Sequence, residues 1–166
     1  TGENRFKHLE LGFNYRLTNM QAAVGVAQIE QSEELINSRR HNAYLYNYLL
    51  KNIPGITLPP ESSQVKNVYW MYGILIQPEF GISMPQLREK LQQKGIGTRT
   101  FFIGMHKQPA YQKNDPRFPD CSGDYPVANE LEKKGLYLPS TSHLSLEQIH
   151  HIFDTIQEIY RGMHDN

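Results

Sequence analysis

Cysteine is nearly absent. Cys121 is the only one in 166 residues, which excludes an internal disulfide framework, a CxxC redox pair and a zinc knuckle. A cytoplasmic, reducing compartment fits that composition. No apolar run approaches the ~18 residues of a membrane span, so no membrane partner is expected. Charge of one sign is missing as well. Seventeen Lys+Arg offset seventeen Asp+Glu, and nothing in that balance calls for nucleic acid. The glycine-rich phosphate loops GxGxxG and GxxxxGK[ST] do not occur. Neither does HExxH, and the adjacent His150 and His151 would point to different faces of a helix, so no metal site is expected. Cys121 sits in PDCSGDY with no histidine beside it, a poor setting for a reactive thiolate. Ser62-Ser63 and Ser140-Thr141-Ser142 lack the nucleophile-elbow context.

What is present suits a folded domain. Hydrophobic residues make up 39% and aromatics 11%, enough for a core, and the length fits one domain or a domain plus an appendage. The chain begins at Thr1, and TGENRFKHLELGFNYR has neither the charged start nor the apolar core of a signal peptide. It reads like the middle of a longer protein.

Local signals divide the chain. Thr18 and Gln21 form a capping-box pattern, and one long helical stretch is expected from there to about Asn52, ended by Pro54-Gly55. Its start carries Met20, Ala23, Val24 and Ala27 at helical spacing, with small residues that suit close packing against something large. Ile56–Leu58 is a short strand. Val68–Ile76, aromatic and β-branched, is the strongest strand signal. Ser83 and Gln86 start a helix that Gly95 should stop. Ile96–Phe102 is read as a strand. Residues 104–125 form a long loop, the kind that is usually functional or disordered. Val127–Lys134 is a short helix and Leu136–Pro139 a strand. Ser145 and Gln148 open a last helix striped with Ile149, Ile152, Phe153, Ile156, Ile159 and Tyr160, whose GMHDN tail should fray. The expected architecture is α+β: a loop and long helical arm over residues 1–52, then a small domain over 53–166 with a mostly antiparallel sheet and helices on one face.

Two clusters could bind a ligand. In GFNYRLTN, Asn14 offers amide donors and Arg16 a guanidinium fork just before a helix N-terminus, a combination suited to a phosphate or another anion. The alternative is a well-capped loop. In GTRTFFIGMH, a strand delivers Arg99, Phe101, Phe102 and His106 into the long loop. Aromatic faces beside an arginine suit a flat anionic ligand such as a nucleotide. Strand alternation should bury one of the two phenylalanines, and His106 could simply be satisfied by backbone.

These segments resemble a known family. GFNYRLTNMQAAVGVAQIEQ is similar to a segment of the DegT/DnrJ/EryC1/StrS sugar aminotransferases. The likeness continues through Arg39-Arg40, NVYWMYGILI, GIGTRTFFIGMHKQPAY and GLYLPS to the last helix. That family has the aspartate-aminotransferase fold and uses pyridoxal phosphate. The branch most similar here aminates a GDP-linked 4-keto-6-deoxy sugar with glutamate as donor. The resemblance implies a C-terminal portion of such an enzyme, working as a homodimer. It implies that Asn14 reaches the cofactor phosphate of the partner subunit, and that Arg16 contacts the donor carboxylate or the nucleotide diphosphate. Arg99, Phe101, Phe102 and His106 would line the nucleotide-sugar side. Gly104 stands where many relatives carry proline, which alters the loop ahead of His106. The Schiff-base lysine is expected upstream of this chain, because Lys7, in NRFKHLEL, does not match the family's lysine segment. No catalytic residue is therefore assigned, and the chain alone should be inactive. Two other readings remain at this point. One is a stand-alone, non-catalytic binding or dimerising module. The other is a dehydratase relative in which histidine replaces the upstream lysine.

Overall fold

A computed structural model describes residues 15–109, 111 and 120–164. Asn14 lies outside the described residues. The chain divides into two compact units, Thr1–Glu33 and Glu34–Asn166.

The first unit contains α1 (Asn19–Glu30). Its capping box forms as the sequence indicates. The Thr18 N–H donates to Gln21 Oε1 at 2.9 Å and the Gln21 N–H to Thr18 Oγ1 at 3.2 Å. No residue of α1 is buried, and Met20 is 82% exposed. The single helix expected to Asn52 is interrupted at Gln31, and α2 (Ser32–Leu50) follows. The cause is local. The Ser32 hydroxyl donates to the Ile29 carbonyl at 2.8 Å and competes with the helical ladder for that oxygen.

In the second unit, four strands form one antiparallel sheet in the order β1-β2-β4-β3. They are β1 (Ile56–Thr57), β2 (Tyr72–Ile76), β3 (Arg99–Thr100) and β4 (Gly135–Leu138). The pairs Tyr72–Leu138 and Ile74–Leu136 place Tyr72, Ile74, Leu136 and Leu138 on one face, because directly opposed residues share a side. That face is the core. It packs against Tyr46 and Leu50 of α2, Leu87 and Leu91 of α3 (Met84–Gln93), and Ile149, Ile152 and Ile156 of α5 (Leu146–His164). Each such side chain contributes about 1.5–3 kcal/mol when fully buried. The Tyr46 and Tyr72 rings stack at 4.7 Å. Their hydroxyls are satisfied, Tyr46 donating to the Pro139 carbonyl at 3.0 Å and Tyr72 to Asn47 Oδ1 at 2.7 Å. Burial holds both phenols well above the usual tyrosine range.

The strands are shorter than the sequence suggests, and β4 is the reason. It has four residues, follows directly on α4 (Pro126–Lys134) and ends at Pro139. Proline has no N–H for a ladder. Pairing of β2 therefore stops at Tyr72–Leu138, and residues 68–71 leave the sheet. There Tyr69 turns inward with φ +46 while Trp70 stays exposed. Arg39 Nη1 fastens this segment, donating to the Trp70 carbonyl at 2.9 Å and the Ser140 carbonyl at 3.1 Å. Arg40 donates to the Asn67 carbonyl and the Tyr44 hydroxyl. β3 is paired at Arg99 and Thr100.

Both remaining capping boxes also form, Ser83 with Gln86 and Ser145 with Gln148, and Gly95 ends α3 with φ +79. Of the GMHDN tail, Asp165 and Asn166 lie outside the described residues. α5 runs on to His164, whose ring stacks on Tyr160 at 4.3 Å and whose Nδ1 lies 3.1 Å from the Tyr160 carbonyl.

Candidate functional site

The second face of the sheet carries Arg99 and Phe101, two of the expected ligand residues. Gly73 lies opposite Tyr137, Leu75 opposite Gly135, and Arg99 opposite Tyr137. Two of these positions have no side chain, and the space is filled by Phe101. Its ring stacks on Tyr137 with centroids 4.3 Å apart and planes 18° apart. A Cβ at Gly73 would come within 2.7 Å of Phe101 Cζ, and one at Gly135 would strike the same ring and approach the Leu131 carbonyl at 2.5 Å. The Phe101 N–H donates to the Gly135 carbonyl at 3.2 Å. Phe101 is thus half-buried platform, and the partial burial of Tyr137 raises its phenol. Phe102 tilts against the same tyrosine at 6.2 Å but is 59% exposed. The strand alternation expected to bury one phenylalanine does not extend this far: both residues follow β3, Phe101 is only half-buried, and both rings lie against Tyr137. Arg99 is exposed beside this platform, and its guanidinium has no hydrogen-bond or ion-pair partner among the described residues.

His106 lies in a 3-10 turn, Met105–Lys107. Its Nε2 is 3.0 Å from Asn129 Oδ1, and its ring stacks on Tyr125 at 4.3 Å. Glu132 accepts from the Gly104 N–H at 3.3 Å and from Lys107 Nζ at 2.9 Å. The Lys107 ammonium, then the Gly104 N–H, hold the Glu132 carboxyl below the usual glutamate range. His106 therefore belongs to a polar cluster with α4.

The structure brings Arg99, Phe101 and Phe102 together on one sheet face and places His106 in the turn that follows. Arg16 is exposed ahead of α1 in the other unit. Sequence reasoning missed Tyr137, Gly73 and Gly135, which only strand pairing reveals. It also missed Tyr125, which immediately precedes α4, and Asn129 and Glu132, whose three-residue spacing marks one helix face. A groove of about 670 Å³, lined by Gly95, Ile96, Leu144, Gln148 and His151 among others, contains none of the expected site residues.

The sequence pattern of the DegT/DnrJ/EryC1/StrS aminotransferase family matches residues 1–157. The chain belongs to that family. It is 35% identical over 157 residues to the GDP-perosamine synthase of Escherichia coli O157:H7, covering 94% of this chain and 40% of that protein. It is 30% identical over 156 residues to the GDP-perosamine synthase of Vibrio cholerae, covering 94% of this chain and 41% of the relative. Among solved structures, DesV of S. venezuelae, in complex with a ketimine intermediate, matches with a TM-score of 0.78 and 28% identity, over 95% of this chain and 40% of that one. The chain thus spans about 40% of the length of the curated relatives it matches.

Pyridoxal phosphate is the cofactor of this family. A Schiff-base lysine needs a desolvated or otherwise neutralised amine. No lysine among the described residues is buried, and Lys94, Lys107 and Lys134 are committed to carboxylates. The described residues alone do not fit the cofactor, and no step through it is derived from them.

Proposed function

We propose that this chain is the C-terminal part of a pyridoxal-phosphate-dependent aminotransferase that moves an amino group from glutamate to a nucleotide-linked 4-keto-6-deoxy sugar, in the manner of a GDP-perosamine synthase. What carries the reading is the likeness to GDP-perosamine synthases along nearly the whole chain. The product would be an amino sugar for a surface polysaccharide, made by a cytoplasmic homodimer. Residues 1–52 would serve as the arm at the domain junction and dimer contact, and residues 53–166 as the small domain. The exposed apolar side chains of α1 suit that role. Asn14 would hold the cofactor phosphate of the partner subunit, with Arg16 on the donor carboxylate or the diphosphate.

The sheet face suggests how the substrate residues divide their work. Phe101 is spent on Tyr137, so Phe102 and Arg99 are the groups left to meet a ligand. A guanidinium fork pairs well with a diphosphate, and an exposed phenyl ring with a base or sugar face. His106 supports the turn that follows them.

The test is amino transfer by the natural full-length protein. With glutamate and GDP-4-keto-6-deoxymannose, the reading expects 2-oxoglutarate and a 4-amino sugar nucleotide in equal amounts. Amination of a dTDP-linked ketosugar alone would correct the nucleotide. Loss of a sugar hydroxyl without amine incorporation would make the protein a dehydratase. No turnover of either sugar would overturn the reading.

A further inference from the structure

Phe102 and Ile103 are 59% and 57% exposed, yet the chain on both sides of them is fastened. Before them, Phe101 is pinned by its N–H to the Gly135 carbonyl and by its stack on Tyr137. After them, the Gly104 N–H donates to Glu132 Oε2 at 3.3 Å. Lys107 Nζ reaches the same oxygen at 2.9 Å. His106 closes the turn, with Nε2 3.0 Å from Asn129 Oδ1 and its ring on Tyr125. Tyr125 precedes the first residue of α4, and Asn129 and Glu132 stand three residues apart on it, so the start and one face of that helix make these contacts to the turn. Gly104 leaves room for the His106 ring. A Cβ there would come within 2.7 Å of His106 Nδ1 and closer still to Cε1, and a proline would also lose the N–H that Glu132 accepts.

We propose that Glu132 and Asn129, together with Gly104, are positioning residues that latch the Gly104–Lys107 turn onto α4 and so fix how Phe102 is presented to the nucleotide sugar. Two exposed apolar side chains on a bridge tied at both ends lose little freedom when a ligand arrives. The latch raises affinity by holding the binding conformation before the ligand is there. The positioning role rests on the function proposed above.

The test uses the natural full-length protein and two readouts. The first is deuterium exchange of the peptide covering residues 102–107. Glu132→Ala should speed it, and Glu132→Gln, which keeps an acceptor for Gly104, should restore part of the protection. The second is steady-state kinetics. Glu132→Ala and Asn129→Ala should raise the nucleotide-sugar KM about tenfold, the order expected for one lost positioning hydrogen bond, and leave the glutamate KM unchanged. A merely structural defect would move both. Unchanged exchange in Glu132→Ala overturns the latch. Faster exchange with an unchanged sugar KM overturns the positioning role and leaves the proposed function standing. A wild-type protein that binds no nucleotide sugar while the variant still exchanges faster overturns the proposed function, and the positioning role with it.

Discussion

The two faces of the sheet are built on opposite plans from the same strands. On one, Tyr72, Ile74, Leu136 and Leu138 are almost fully buried under three helices. On the other, Gly73 and Gly135 leave bare backbone, and one aromatic pair covers it. The first face spends large side chains on stability. The second spends its glycines on admitting a flat ring, which leaves Phe102 and Arg99 at the surface beside it. The strand YGILI thus alternates core side chains with positions on the Phe101–Tyr137 side, as the two-residue period of a strand allows.

Substitutions should separate the two plans. The largest effect is expected on the core face. Ile74 is completely buried, and Ile74→Ala should cost about 2–5 kcal/mol, measured by urea unfolding. A loss under about 1 kcal/mol would mean that this face is not the core. Next comes Gly135→Ala. Its Cβ would meet the Phe101 ring and the Leu131 carbonyl, and overpacking of this kind costs about 1–3 kcal/mol. Near-ultraviolet circular dichroism should show the Phe101–Tyr137 stack disturbed, and an unaltered spectrum at wild-type stability would break the platform. Arg99→Ala and Phe102→Ala should change stability by less than about 0.5 kcal/mol, as exposed positions do. In the full-length protein each should nevertheless weaken nucleotide-sugar binding by isothermal titration. If both bind as wild type does, the second face is not the ligand side.

The smallest effect concerns pH. Glu132 has a lowered pKa in the folded chain because Lys107 and Gly104 hydrogen-bond its carboxylate. A depressed carboxyl stabilises above its unfolded value of about 4.3, and that contribution disappears as pH falls through the lower folded value. The stability gap between wild type and Glu132→Gln should be level above about pH 5 and close on acidification. A gap that widens in acid would reverse the assignment.

What could be read from sequence was what neighbours decide. Thr18 with Gln21, Ser83 with Gln86 and Ser145 with Gln148 mark their helix starts because each box closes within three residues. The antiparallel α+β order and the buried stripe Ile149, Ile152, Ile156 and Ile159 were legible for the same reason. Strand lengths were not. Val68–Met71 has strong β character but no partner, because Pro139 ends β4 more than sixty residues away. The break at Gln31 turned on a single serine hydroxyl. The reach of α5 to His164, whose ring stacks on Tyr160, was not legible either. In the site, Arg99, Phe102 and His106 stood out by residue type. Gly73, Gly135 and Tyr137 acquired meaning only from strand register, and Asn129 and Glu132 only from a turn more than twenty residues upstream.

The most direct measurement is the intact mass of the natural protein after borohydride reduction. The account expects a mass about two and a half times the 19.3 kDa of this chain, because the chain spans 40% of its relative. It also expects a reduced pyridoxyl group on a lysine outside these 166 residues. A mass of 19.3 kDa with no adduct would contradict the aminotransferase assignment for this chain.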